Sequence, residues 1–186
     1  MSQQPAIFLD RDGVIIENRP NYVRSWADVV IFEPAVAALA RIRHAPYKII
    51  IVTNQSAVGR GIISLETAWD INDRLVREIE KGNGRVDATY ICPHAPDDNC
   101  DCRKPRPGLL LQAATDHQID LSRSIMIGDA LTDLAAGQAA HVAQTILLRT
   151  GRGSVQSQLP QATQFAPLCL YDTLADALSN VIDHLF

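Results

Sequence analysis

The feature that most constrains this chain is a repeated alternation of short β-branched apolar runs with longer helix-patterned segments. Strand-type runs fall at residues 6–9, 48–53, 88–92, 124–128, 144–148 and 167–171. Helix-type segments lie between or after them at 34–44, 65–81, 108–118, 132–140 and 174–185. Ser64 is placed to N-cap the second helix, Pro34 suits a first turn, and Gly82-Asn83-Gly84 would stop the chain before the next strand. Strand, helix, strand in this order is the signature of βαβ units around a mostly parallel sheet. The expectation is an α/β, Rossmann-like three-layer sandwich. No internal repeat or Pro/Gly/Ser linker divides residues 1–186, so one domain is expected. The polar stretch 151–164 reads as a surface loop.

A parallel sheet gathers its ligand site beyond the carboxyl ends of its strands. The polar residues at those ends therefore decide the chemistry. After the first run comes Asp10-Arg11-Asp12-Gly13-Val14. Residues two apart present side chains to one side, so Asp10 and Asp12 can act together while Arg11 points away. Two carboxylates this close need a cation between them, and Mg²⁺ on Asp10 would relieve the repulsion and receive a phosphate dianion. Asp10 would then be the nucleophile and Asp12 the acid and base. An ordinary Asp-Gly turn explains the same four letters.

Thr53-Asn54-Gln55-Ser56 follows the second run and offers a hydroxyl and N–H groups to phosphoryl oxygens, or simply a turn. Lys104, between Arg103 and Pro105-Arg106-Pro107, would offset transition-state charge, or belong to a solvated basic loop. Asp129 would complete the magnesium shell, and Asp133 would cap or orient the helix after it.

Net charge is −4, which argues against nucleic-acid or anionic-membrane partners. The N-terminus shows no signal-peptide pattern, and runs such as Ile49-Ile50-Ile51-Val52 are too short to span a bilayer. The expectation is a monomeric cytoplasmic protein with a small-molecule partner. Any phosphate it handles must be met by local positive charge. Cys92-Pro93-His94 and Cys100-Asp101-Cys102 supply three thiolates and an imidazole, a full tetrahedral set for structural Zn²⁺. The alternatives are a disulfide and an unpaired cluster. The loop 92–102 leads directly into Arg103-Lys104. Cys169 fits an apolar core position.

Taken together, Asp-x-Asp-Gly-Val, Thr-Asn-Gln, Arg-Lys-Pro and Gly-Asp-x-x-x-Asp resemble the four motifs of the haloacid dehalogenase (HAD) superfamily of phosphohydrolases, over residues 6–149. The resemblance implies catalytic roles for Asp10, Asp12, Thr53 and Lys104, and Mg²⁺ held by Asp10, Asp12 and Asp129. The zinc loop resembles the branch containing heptose-bisphosphate and histidinol-phosphate phosphatases, in which it stands where other members insert a large cap domain. The loop from Thr53 to Gly61, with its Arg60-Gly61, and Lys104-Pro105-Arg106-Pro107-Gly108 resemble the heptose enzymes; the short zinc spacer resembles the histidinol ones, and Ala57 stands where heptose-type members usually have Gly. The implied substrate is a phosphorylated sugar, heptose 1,7-bisphosphate losing its 7-phosphate, with histidinol phosphate as the alternative. Arg60, Arg103 and Arg106 are candidates for a second anion site, or are surface charges. By resemblance Arg103 recognises substrate, Asn18 to Asn21 wall the site, and Asn54, Gln55 and Ser56 contact the ligand. A phospho-accepting receiver module also combines acids, Thr and Lys, but separates its acid pair from its acceptor.

Overall fold

The computed structural model describes residues 3–183. In chain order the elements are β1 (Ala6–Leu9), α1 (Glu33–Arg41), β2 (Lys48–Asn54), α2 (Ser56–Gly59), α3 (Leu65–Lys81), β3 (Ala88–Cys92), α4 (Gly108–His117), β4 (Ile125–Gly128), α5 (Leu131–Ala139), β5 (Gln144–Leu148), α6 (Gly153–Gln156), β6 (Leu170–Tyr171) and α7 (Leu174–Asp183). The strands form one parallel sheet in the order β3-β2-β1-β4-β5-β6. From β1 the chain steps outward through β2 and β3, then restarts at β4 and steps the other way. The connections leaving β1 and β4 diverge, which opens a crevice above their carboxyl ends.

Alternate strand residues face opposite sides of the sheet. Ile7, Leu9, Ile49, Ile51, Ile125 and Ile127 pack with Leu39 of α1, Leu75 and Ile79 of α3 and Leu178 of α7. Ala6, Phe8, Ile50, Val52 and Met126 face Leu109 and Leu110 of α4 and Ala136 of α5. Each fully buried Leu or Ile contributes about 1.5–3 kcal/mol, so the strand ends that carry the polar motifs stand on a firm floor. The Ser64 hydroxyl accepts the Thr67 N–H at 3.0 Å, as expected for the α3 N-cap. That cap stabilises the helix by about 1 kcal/mol.

Several boundaries differ from expectation for local reasons. The first helix ends at Arg41 instead of continuing to residue 44. Pro46 disfavours helical geometry at Ala45, and the turn toward β2 is made just before it. Ser124 stands outside β4: its hydroxyl accepts the Ala6 N–H at 2.9 Å and donates to the Asp120 carbonyl at 2.6 Å. Cys169 is half-buried at the core's edge, where its Sγ accepts from Gln144. The last helix is described to Asp183, so its expected end at 184–185 lies outside the described residues. Residues 151–164 are not a passive surface loop. They form α6 and part of a 3₁₀ turn at Pro160–Phe165, and bring Arg152 back to the strand ends. Among the described residues no helix is long and apolar enough to cross a membrane.

Candidate active site

The site is built on the ends of β1, β2 and β4. The Asp10 N–H donates to the Ile127 carbonyl at 3.0 Å, so the ladder of β1 and β4 reaches the residue that carries the carboxylate. Lys104 arrives from the segment between β3 and α4 and is 2% exposed. Asn54 fastens its backbone to β2: the Asn54 amide donates to the Lys104 carbonyl at 3.0 Å, and the Lys104 N–H donates back at 3.1 Å. The ammonium then donates to the Val52 carbonyl at 2.8 Å and pairs with Asp10 at 2.9 Å and Asp133 at 2.7 Å. Asp133 also accepts the Ala130 N–H at 3.0 Å, so it both caps α5 and faces the lysine.

Asp129 is fully buried in a cradle made by two turns. Its Oδ2 accepts from the Asn18 amide at 2.5 Å and the Arg152 N–H at 2.9 Å, and its Oδ1 from the Arg152 guanidinium at 3.0 Å. Gly13 and Gly151 adopt positive φ of 82° and 57° beside it, and a Cβ on either would strike the carboxylate. The Thr150 hydroxyl donates to the Gly13 carbonyl at 2.6 Å and locks the two turns together.

This crowding has an electrostatic consequence. Burial raises the Asp10 carboxyl from 3.8 to about 7; Lys104 opposes the rise, and Asp133, Asp129 and Asp12 add to it. Burial would lower Lys104, yet the charges of Asp10 and Asp133 hold it above its ordinary value. Oxygens of Asp10, Asp129 and Asp133 lie within 4.8 Å of one another. A buried all-carboxylate set with excess negative charge suits a hard divalent cation such as Mg²⁺.

Asp12 does not belong to that trio. Arg11, expected to point away, is fully buried and turns back onto Asp12: Nε donates to Oδ2 at 3.0 Å and Nη2 to Oδ1 at 3.1 Å. Asp133 takes the place in the carboxylate cluster that the sequence assigned to Asp12.

Above these residues lies a cleft of about 520 Å³. Of the expected site residues, Asp10, Asp12, Asn18, Asn54, Gln55, Ser56, Arg103 and Lys104 line it. Thr53 is buried behind the wall, its hydroxyl accepting from the Gln55 amide at 2.8 Å. Asn21 and Arg60 are exposed and outside the lining. Arg106 is committed elsewhere, donating to the Asn99 and Cys100 carbonyls at 2.6 and 2.9 Å. Arg19, within the expected wall Asn18 to Asn21, lines the cleft; Tyr22, Thr132 and Arg152 also line it, and sequence reasoning missed them. Only Thr132, inside the strand-end motif Gly128 to Asp133, carried a positional signal in the sequence.

Cys92, His94, Cys100 and Cys102 converge with ligand-atom separations between 3.1 and 3.6 Å. None is in a disulfide. Tetrahedral zinc ligands stand roughly 3.3–3.8 Å apart, so the cluster is compatible with zinc. The Arg103 guanidinium donates to the His94 carbonyl at 3.2 Å, which ties the cleft wall to this cluster.

A parallel sheet that reverses at β1, with acids after β1 and β4, a hydroxyl after β2 and a lysine after β3, defines the class of HAD-like hydrolases. The HAD-hydrolase-like family model matches residues 101–177. The D-glycero-β-D-manno-heptose-1,7-bisphosphate 7-phosphatase of Pseudomonas aeruginosa is 34% identical, covering 95% of this chain and 97% of its own length. The protein described here belongs to the family of these phosphatases. The corresponding enzyme of Bordetella bronchiseptica is 37% identical over 85% of this chain and 89% of its own length. A crystal structure of D,D-heptose 1,7-bisphosphate phosphatase from B. bronchiseptica, complexed with magnesium and phosphate, superposes with a TM-score of 0.88 at 32% identity, covering 97% of this chain and 99% of that one.

Proposed function

We propose that the protein removes the 7-phosphate of D-glycero-D-manno-heptose 1,7-bisphosphate, in the synthesis of activated heptose for surface glycans. The observation that carries this reading is the buried Asp10 carboxylate, 2.9 Å from the Lys104 ammonium on the wall of a cleft that Asp12 also lines. The relatives at 34% and 37% identity, both named for this activity, support the substrate.

In the first step an Asp10 oxygen attacks phosphorus and the P–O ester bond breaks. Its electron pair leaves on the sugar oxygen, which takes the proton of the Asp12 carboxyl, and Asp10 carries the phosphoryl group. In the second step water attacks phosphorus and gives its proton to the Asp12 carboxylate. The bond to Asp10 breaks, inorganic phosphate departs, and both acids regain their starting states. Lys104 offsets charge on the transferring group throughout. Asp10, Asp129 and Asp133 would hold Mg²⁺, whose chemistry there is to neutralise the carboxylates and attract the phosphate dianion. The guanidinium groups of Arg19, Arg103 and Arg152 on the cleft wall suit the second phosphate of a bisphosphate. Zinc on the cysteine–histidine cluster would hold the loop that supplies Arg103 and Lys104.

The test is kcat/KM with Mg²⁺ for the heptose bisphosphate and for histidinol phosphate, using the wild-type protein and Asp10→Asn. The expected result is preference for the heptose bisphosphate, with all turnover lost in the variant. Higher kcat/KM for histidinol phosphate would overturn the substrate. Stoichiometric phosphorylation without turnover would overturn the enzymatic reading in favour of a receiver.

A further inference from the structure

Among the described residues Arg11 is the largest fully buried side chain, and the two-step reaction just described gives it no part. It does not line the cleft. Taking a guanidinium out of water costs several kcal/mol unless its hydrogen bonds are met in good geometry. Here they are met by three side chains from separate segments. Two go to Asp12, Nη1 donates to Asn72 Oδ1 at 2.9 Å, and Nη2 donates to Gln55 Oε1 at 3.0 Å.

Asn72 is unusual for its place. The other buried positions of α3 are Ala68, Ile71, Leu75 and Ile79, all apolar. Asn72 is 1% exposed, and its Nδ2 has no partner. An unpaired buried amide costs about 1–3 kcal/mol, which an alanine or leucine here would avoid. Among the described residues, the one side-chain hydrogen bond of Asn72 is the one it accepts from Arg11.

The fork also fixes the carboxylate. Asp12 Oδ2 accepts from Arg11 Nε at 3.0 Å and Gln55 Nε2 at 3.1 Å, and lies 2.9 Å from Nη2. Oδ1 accepts only from Nη2, at 3.1 Å. The plane of the carboxyl group is set by a bidentate contact, and Oδ1 keeps an open position. Gln55 extends the same grip to the Thr53 hydroxyl. An acid at a half-exposed position just before a glycine turn has two free side-chain torsions; proton delivery needs its oxygen within about 3 Å of the leaving atom.

We propose that Arg11, braced by Asn72, is a positioning residue that holds Asp12 with Oδ1 toward the departing ester oxygen. The proposal rests on Asp12 being the acid of the proposed reaction. Arg11 touches no substrate and acts only through Asp12.

The test compares kcat/KM for a heptose bisphosphate and for 4-nitrophenyl phosphate in the wild type, Arg11→Lys, Asn72→Ala and Asp12→Asn. This parameter reports only the first step, where a sugar alkoxide needs a proton and 4-nitrophenolate does not. In Arg11→Lys, which keeps the charge but loses the fork, the sugar phosphate is expected to lose roughly 100-fold and the aryl ester less than about threefold. Asn72→Ala, which leaves Arg11 and the helix intact, should lose about tenfold on the sugar phosphate with the same selectivity. It decides the matter if the arginine variant does not fold. Equal losses on both substrates, or none in Asn72→Ala, would overturn the positioning role. Equal losses in Asp12→Asn would instead remove Asp12 as the acid, a separate failure.

Discussion

Asp10→Asn is expected to abolish turnover and, at the same time, to stabilise the magnesium-free protein. The folded state keeps the Asp10 carboxyl at about 7 against 3.8 for a free side chain, first through burial and then through Asp133, Asp129 and Asp12, with Lys104 opposing. Between about pH 4 and 7 the folded protein therefore holds a proton that the unfolded chain has released. Wild-type stability should fall as pH rises through that window. At about 1.4 kcal/mol for each tenfold in the ionisation constant, the full penalty is about 4 kcal/mol, reached near pH 7. Asparagine has no charge to bury and keeps an oxygen for the Arg11 N–H and for Lys104. For a chain of this size about 4 kcal/mol corresponds to roughly 8–16 °C in Tm. The assay is thermal unfolding of both proteins from pH 4 to 8 in magnesium-free buffer without chelator, so that the cysteine–histidine cluster is undisturbed. The gain should be largest at pH 7–8 and vanish toward pH 4. A variant that is less stable than wild type at pH 8, or a gain that persists unchanged at pH 4, would refute the reasoning.

Lys104→Met should act in the opposite direction. It leaves the Asp10 and Asp133 carboxylates without the ammonium at 2.9 and 2.7 Å, and breaking a buried pair in this way costs about 3–5 kcal/mol, measurable by urea denaturation together with the loss of kcat. For the cysteine–histidine cluster, metal analysis of the native protein should find one zinc per chain. Cys102→Ser should release it and lower kcat/KM, because the His94 carbonyl that holds Arg103 moves with the loop. Native protein free of zinc would remove that part of the model.

The strand-end motifs were legible because each is local. Asp10, Thr53 and Asp129 immediately follow apolar runs, and a parallel sheet brings such positions to one edge whatever the details of packing. Lys104 was legible for the same reason one step removed, through a loop of ligand-type spacing. Arg11 was misread because strand alternation does not extend past Leu9: the chain turns at Gly13, with φ of 82°, and the arginine folds back onto its own neighbour. Arg152 was missed because nothing in a polar stretch after β5 marks one arginine over another.

The sequence by itself determined the βαβ order, the parallel sheet and the chemistry available at its ends, since hydrophobic period and strand-end position need only neighbours along the chain. The tertiary structure alone decided how those groups are oriented. Asn72 meets Arg11 across 61 residues, Arg152 meets Asp129 across 23, and Asn54 meets Lys104 across 50. Those meetings depend on how far each crossover carries its helix and on the register at which it docks. The neighbouring carboxylates of Asp10 and Asp12 end in different surroundings because distant side chains brace the Arg11 fork on one and crowd the other.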